Sequence, residues 1–343
     1  MAQKRSPATL DEMRAIIGSL PGPDRAAGET AARREAQLTK PAGALGRLEE
    51  LNIWMATWQG KHPPSCVHPR TAVFAGNHGV AKLGVSAYPA EVTVQMVKNF
   101  VDGGAAVNQL CRAVDADLRV YEMALDQPTA DFTVAPAMTE EECATAMAYG
   151  MMAVEPGIDL LAVGEMGIAN TTAAAALNAA IFGGAAADWV GPGTGVAGEG
   201  LRRKIAVAEK GIALHKPAAI DGFDLLRRLG GREFAAMVGA IIAARMARVP
   251  VLLDGYAATA AAASLFALDK TTLDHCLVAH RSAEPGHRLL LEHLGKAPLF
   301  DLGMRLGEAS GATLAIAIVK AALACHNGMA TFAEAGVSGK DEA

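Results

Sequence analysis

Glu308 lies in the stretch Met304-Arg-Leu-Gly-Glu308-Ala-Ser-Gly311-Ala-Thr313, a turn of small residues that runs into an apolar helix expected over Leu314–Leu323. Arg305 is the one nearby cation; the rest of the segment is Gly, Ala, Ser and Leu. A carboxylate with apolar surroundings holds its proton more tightly than usual and becomes a proton acceptor near neutrality. The same side chain also suits a cap on the following helix. The segment alone leaves both roles open.

Other loops look built for the same site. They are Gly76-Asn-His78-Gly-Val with Gly84-Val-Ser86-Ala-Tyr88-Pro, Gly164-Glu165-Met-Gly167-Ile-Ala-Asn170-Thr171-Thr172, Gly191-Pro-Gly193-Thr194-Gly195, Asp254-Gly-Tyr256 and His280-Arg-Ser282-Ala-Glu284-Pro-Gly286-His287. Each follows a short apolar run and is rich in Gly or hydroxyls, where a backbone can approach a ligand. Gly167-Ile-Ala-Asn170-Thr171-Thr172 opens an Ala-rich helix, and Gly193-Thr194-Gly195 leads into a helix bearing Arg202, Arg203 and Lys204. Free N–H groups at a helix start, with hydroxyls and cations nearby, bind phosphate. A tight turn beside a solvated charged face is the competing reading for either loop taken alone.

The elements that must carry these loops alternate. Apolar runs at Thr71–Ala75, Leu118–Tyr121, Ile158–Val163, Ala186–Val190, Val251–Leu253 and Leu277–Ala279 read as strands. Helical stretches at Glu91–Phe100, Glu140–Val154, Thr172–Ile181, Leu201–His215 and Glu233–Ala247 fall between them. Such alternation gives an α/β fold, a doubly wound, mostly parallel sheet with helices on both faces. Ligands in such sheets bind beyond the carboxyl ends of the strands. Before the first strand come helices, one opened by the capping-box pattern Thr9-Leu-Asp-Glu12, and Ala312 returns the chain to helix. This predicts an N-terminal helical segment over 1–69, a catalytic unit over 70–311 and a C-terminal helical segment over 312–343, the two ends forming one small helical domain. Ser338–Ala343 reads as a free tail.

Composition narrows the class. The chain has 343 residues, 51% of them hydrophobic and only 5% aromatic, so its core is Ala, Val, Leu, Ile and Met. A net charge of -5 with mixed signs argues against nucleic acid or anionic membrane as a partner. Five scattered cysteines without CxxC spacing, and no apolar leader, predict a reducing cytoplasm. Three motifs are decoys. Gly193-x-Gly195-x-x-Gly198 matches the dinucleotide fingerprint without a convincing first strand. Val251-Leu-Leu-Asp254-Gly-Tyr-Ala-Ala-Thr259 lacks the paired acids of a magnesium-diphosphate loop. His280 and His287 fit no standard metal-ligand spacing.

Longer motifs carry a resemblance. Thr39-Lys-Pro-x-Gly-x-Leu-Gly-Arg-Leu-Glu-Glu50, His78-Gly-Val with Gly84-Val-Ser-Ala-Tyr-Pro-x-Glu-Val-Thr93, Gly103-Gly-Ala-Ala-Val-Asn108, Gly164-Glu-Met-Gly-Ile-x-Asn-Thr-Thr172, Pro250-Val-Leu-Leu-Asp-Gly255, Ser282-Ala-Glu-Pro-Gly-His287, Met304-Arg-Leu-Gly-Glu308 and Met329-Ala-Thr-Phe-x-Glu-Ala-Gly336 resemble the nicotinate-nucleotide–dimethylbenzimidazole phosphoribosyltransferase family. The likeness spans about Thr39 to Gly336. Asn77 replaces a frequent Asp, Ala309-Ser310 replaces Gly-Thr, and Ala169 replaces Gly.

The resemblance implies transfer of phosphoribose from nicotinate mononucleotide to 5,6-dimethylbenzimidazole, with inversion at the anomeric carbon, in assembly of the cobalamin nucleotide loop. It implies Glu308 as proton acceptor and Glu165 as a supporting carboxylate. Gly167, Asn170, Thr171, Gly193, Thr194, Gly195, Lys204, Ser282 and Gly311 are expected to bind the nucleotide, and Ser86, Tyr88, Gln95, Met304 and Leu306 the base. Neither cofactor nor metal is implied, because a pyridinium leaves without help, and family members are homodimers. A dinucleotide-dependent oxidoreductase using Gly193–Gly198 is the alternative, and a non-catalytic benzimidazole binder a third reading.

Overall fold

The computed structural model describes residues 8–338. Apart from Ser338, the expected free tail lies outside them. In chain order the elements are α1 (Leu10–Ile17), α2 (Arg25–Gln37), α3 (Arg47–Gln59), β1 (Pro69–Ala75), α4 (Glu91–Asp102), α5 (Ala106–Val114), β2 (Asp117–Glu122), α6 (Glu140–Met151), β3 (Leu160–Met166), α7 (Asn170–Phe182), α8 (Ala186–Trp189), α9 (Gly198–His215), α10 (Gly222–Leu229), α11 (Arg232–Met246), β4 (Val251–Leu253), α12 (Tyr256–Phe266), β5 (Cys276–Val278), α13 (Pro285–Leu294), α14 (Ser310–Gly328) and α15 (Phe332–Ala335).

The five strands pair in parallel in the order β2-β1-β3-β4-β5. The chain winds outward in both directions from β1 and β3, so the crevice for a ligand opens at their carboxyl ends. Strand residues alternate between two cores, as the pleat requires. Phe74, Leu161, Val163 and Leu253 face the core built with α6, α7, α11 and α12. Val73 and Met166 face α4 and α5, and Leu160, Ala162 and Leu252 face α3 and α14. The expected doubly wound sheet is present.

The Ala-rich composition has a packing cause. A Cβ on Gly150 would come within 1.9 Å of the Ala236 carbonyl oxygen, and one on Gly239 within 1.9 Å of that of Met147. Helices α6 and α11 therefore approach at backbone distance. α12 and α7 are apolar on every side because they are buried on every side. The expected capping box opens α1, with Glu12 N–H donating to Thr9 Oγ1 at 3.2 Å and Thr9 N–H to Glu12 at 2.9 Å.

The two chain ends meet. Leu38 bridges Thr331, Arg34 Nε donates to the His326 carbonyl at 2.8 Å, and His326 Nδ1 lies 2.6 Å from Glu35. α14 has the length and composition to cross a membrane. It instead shares a core with α3 and with β3 and β4, and its first turn stands at the crevice.

Two expectations are corrected. Ala186–Val190 is not a strand but the one-turn helix α8, closed by Ala185 N–H donating to Asp188 at 2.9 Å. A five-residue apolar run has no period long enough to separate the two forms. β3 also runs three residues past Val163, so Glu165 belongs to the strand rather than to a loop.

Candidate active site

Glu165 and Glu308 meet at the carboxyl end of β3. Glu308 N–H donates to the Glu165 carbonyl at 3.1 Å. Glu308 (φ 60°) and Ala309 (φ 57°) are both left-handed, which costs an L-residue energy and marks a turn held by its surroundings. β3 presses on that turn: a Cβ on Gly164 would lie 2.2 Å from Ala309 N. Only glycine fits there.

Both carboxylates are buried. Burial pushes Glu308 up to about 7. It pushes Glu165 up to about 8, with repulsion from Asp254, Glu233 and Glu308 adding and a hydrogen bond from Asn170 Nδ2 opposing. Glu165 therefore keeps its proton to higher pH, and Glu308 is the carboxylate ionised first. Arg305 does not neutralise it: its Nη1 donates to the Gly193 carbonyl at 2.8 Å.

The opposite end is polar. Lys204, on α9, is buried, with Nζ donating to Thr171 Oγ1 at 2.8 Å and to the Gly191 carbonyl at 2.9 Å. Burial lowers it to about 8, although Glu284 works against the shift. Arg202 and Arg203 of the same helix are exposed. One residue of the basic trio points inward and two lie on the solvated face.

The loop at 191–195 follows α8. The dinucleotide reading of Gly193–Gly198 falls with that, since the fingerprint needs a strand directly before it; Gly198 already begins α9. Gly193 N–H donates to Glu284 at 2.9 Å. Thr194 Oγ1 lies 2.8 Å from Ser86 Oγ and accepts Ala87 N–H at 2.9 Å, tying this loop to the 84–88 segment.

Between the two ends lies a cavity of about 880 Å³, within the usual range for small-molecule sites. Ser86, Tyr88, Glu165, Gly167, Asn170, Thr171, Gly193, Thr194, Ser282, Leu306 and Glu308 all line it. Gln95 does not. It is exposed, and the wall is made by Val92, Met96 and Asn99, the neighbouring face of α4. Met304 is half-buried behind the wall, its carbonyl accepting Ala283 N–H at 2.9 Å. Gly195 and Lys204 do not line it, and Lys204 stands behind its polar end. Gly311 packs under His280, where a Cβ would lie 2.1 Å from the ring.

Sequence reasoning passed over Asp254, His280, Glu284 and Arg305. Asp254 and His280 stood in motifs set aside as decoys, and their position straight after β4 and β5 was the available signal. Among the described residues no group of three or more His, Cys, Asp and Glu is arranged to hold a metal ion.

Comparison with known proteins bears on the same residues. A family model described as a phosphoribosyltransferase matches residues 20–337. The nicotinate-nucleotide–dimethylbenzimidazole phosphoribosyltransferases of Sinorhizobium medicae (strain WSM419) and Rhizobium meliloti (strain 1021) are each 59% identical to this chain, covering 96% and 97% of it and 98% of their own length. The crystal structure of CobT from Thermus thermophilus matches with a TM-score of 0.86 at 41% identity, over 91% of this chain and 99% of that one. The chain belongs to the nicotinate-nucleotide–dimethylbenzimidazole phosphoribosyltransferase family.

Proposed function

We propose that the protein transfers the phosphoribosyl group of nicotinate mononucleotide to 5,6-dimethylbenzimidazole, giving α-ribazole 5′-phosphate and nicotinate, in assembly of the cobalamin nucleotide loop. The observation that carries this reading is the two-ended cavity. A buried ammonium with hydroxyl and backbone partners lies at one end, and a carboxylate with raised proton affinity lies at the other.

The phosphate sits by Gly167, Asn170, Thr171, Gly193, Thr194 and Ser282, with the Lys204 charge behind them. The bond from the anomeric carbon to the pyridinium nitrogen breaks, its electron pair leaving with nicotinate. A benzimidazole nitrogen attacks from the opposite face, so the configuration inverts. The other ring N–H becomes acidic and gives its proton to Glu308. Glu165, protonated at neutral pH, adds no second negative charge beside that acceptor and orients Asn170. Ser86, Tyr88 and Leu306 hold the base.

We place the enzyme in the cytoplasm, a reading supported by five unpaired cysteines. A homodimer is supported by Val94 and Val101, exposed seven residues apart on α4.

The test is direct. Protein, nicotinate mononucleotide and dimethylbenzimidazole are mixed with a chelator, and products are separated. Formation of α-ribazole 5′-phosphate is expected. Absence of glycosyl exchange in a folded preparation contradicts the reading.

A further inference from the structure

Asp254 touches no part of the cavity, yet it is tied to the turn that carries Glu308. It follows β4 directly and is 1% exposed. Its carboxylate accepts Ala312 N–H at 2.9 Å and faces the N–H groups of Gly311 and Ala309. These are donors of the first turn of α14, which have no partner within the helix. The residue before that helix, Ala309, has no side chain able to cap it. Asp254 supplies the cap from another strand.

We propose that Asp254 is the positioning residue of the site: by capping α14 from β4 it fixes the left-handed Glu308–Ala309 turn and so aims the Glu308 carboxylate into the cavity. The inference rests on the transferase reading given above. Other contacts hold the same turn: Ser310 N–H and Oγ close it by donating to the Gly307 carbonyl at 3.0 and 2.7 Å, and on the β3 side stand the backbone bond from Glu308 N–H to Glu165 and the close approach of Gly164. Asp254 is the only side-chain acceptor among the described residues that reaches the helix side.

The titratable groups around this carboxylate are Glu308 on the turn, Glu165 on β3 and His280 after β5, whose Nε2 is 3.7 Å away. His280 has no hydrogen-bond partner on either ring nitrogen, and burial lowers its proton affinity. Burial, with repulsion from Glu308 adding, raises Asp254 itself to about 7, so it shares a titration range with Glu308 and its role is carried by the cap rather than by the charge.

Two substitutions separate the effects. Asp254→Asn keeps an acceptor for Ala312 N–H and loses the charge; Asp254→Ala loses both. Steady-state kinetics with nicotinate mononucleotide and dimethylbenzimidazole, and crystal structures of both variants, are the readouts. Asp254→Ala is expected to lower kcat by ~10²-fold, the size of loss that a misplaced catalytic group produces. Its KM for nicotinate mononucleotide should change little, because Lys204 and the 191–195 loop lie on other elements. Asp254→Asn should retain more of kcat, because its side-chain oxygen can still accept Ala312 N–H. In the Asp254→Ala crystal the 308–309 turn should leave its left-handed conformation.

A wild-type protein that forms no α-ribazole 5′-phosphate contradicts the transferase reading, and the crystal readout still decides the role of Asp254. The inference is overturned by a folded Asp254→Ala with the turn unmoved, or with wild-type kcat. If Asp254→Ala does not fold, Asp254→Ser, whose side chain is too short to keep the bond to Ala312 N–H, is measured in the same way, and an unmoved turn or wild-type kcat in that variant overturns it instead.

Discussion

Glu308 donates its backbone N–H to the carbonyl of Glu165 at 3.1 Å, so the two carboxylates of the site are tied through main chain rather than through their own side chains. Each side chain is left free to titrate in a buried pocket. Burial alone raises Glu308, while Glu165 also feels the neighbouring carboxylates. In the proposed reaction Glu165 stays protonated and Glu308 accepts.

The backbone tie predicts the outcome of Gly164→Ala. Its new Cβ would meet Ala309 N at 2.2 Å and Ala309 Cα at 2.5 Å. The turn must move off β3, and a displaced base costs on the order of 10²-fold in kcat. The KM for nicotinate mononucleotide should change much less. A folded variant with wild-type turnover would show that the turn does not need this contact.

Ala169 (φ 78°) and Ala309 (φ 57°) sit in left-handed positions, a conformation that favours Gly. That conformation costs an L-residue ~1–2 kcal/mol, and the freedom of Gly in the unfolded chain returns ~0.4–1 kcal/mol of the gain, so Ala169→Gly and Ala309→Gly should each stabilise by up to about 1 kcal/mol. Chemical denaturation measures this. A loss of about 1 kcal/mol, as for an ordinary helical Ala→Gly, would mean that the Ala methyl groups hold the turns by packing.

Much of the fold was legible because most strands here carry short apolar runs that alternate with helical stretches, and five of the six expected runs are strands. Ala186–Val190 misled because Ala and Trp suit either form and the run is shorter than two helical turns. At the site, Glu308 and the glycine loops could be read as such because small residues around one carboxylate leave few other uses. Gln95 illustrates the limit. Sequence places α4 at the site but not its rotation, and one step along a helix moves a side chain from Met96 in the wall to solvent. Lys204 among three basic residues is the same problem. Arg305, the one cation near Glu308 in sequence, reaches instead across the cavity mouth to Gly193, which sequence proximity could not show. Asp254 was hidden because its partners are backbone donors 55 or more residues away.

If the buried ammonium, bonded to Thr171 and the Gly191 carbonyl, faces the phosphate as proposed, Lys204→Ala should raise the KM for nicotinate mononucleotide far more than that for dimethylbenzimidazole. The pH dependence has a defined sign. Lys204 loses its proton as pH rises through about 8, and the neutral amine no longer attracts phosphate. The wild-type KM for the nucleotide should therefore climb above that pH, while the KM for the base stays level. Equal effects of Lys204→Ala on both substrates would remove Lys204 from the phosphate end.

The most direct measurement is the pH profile of kcat for the wild type and for Glu308→Gln. Glu308 accepts a proton only when ionised, so wild-type kcat should fall as pH drops below about 7. Gln keeps the shape and removes the acceptor. Loss of a positioned base lowers kcat ~10²–10⁴-fold, roughly 3–5 kcal/mol of barrier, and should leave no acidic limb. Both KM values should stay close to wild type. A Glu308→Gln enzyme with full turnover and the same acidic limb would contradict the account.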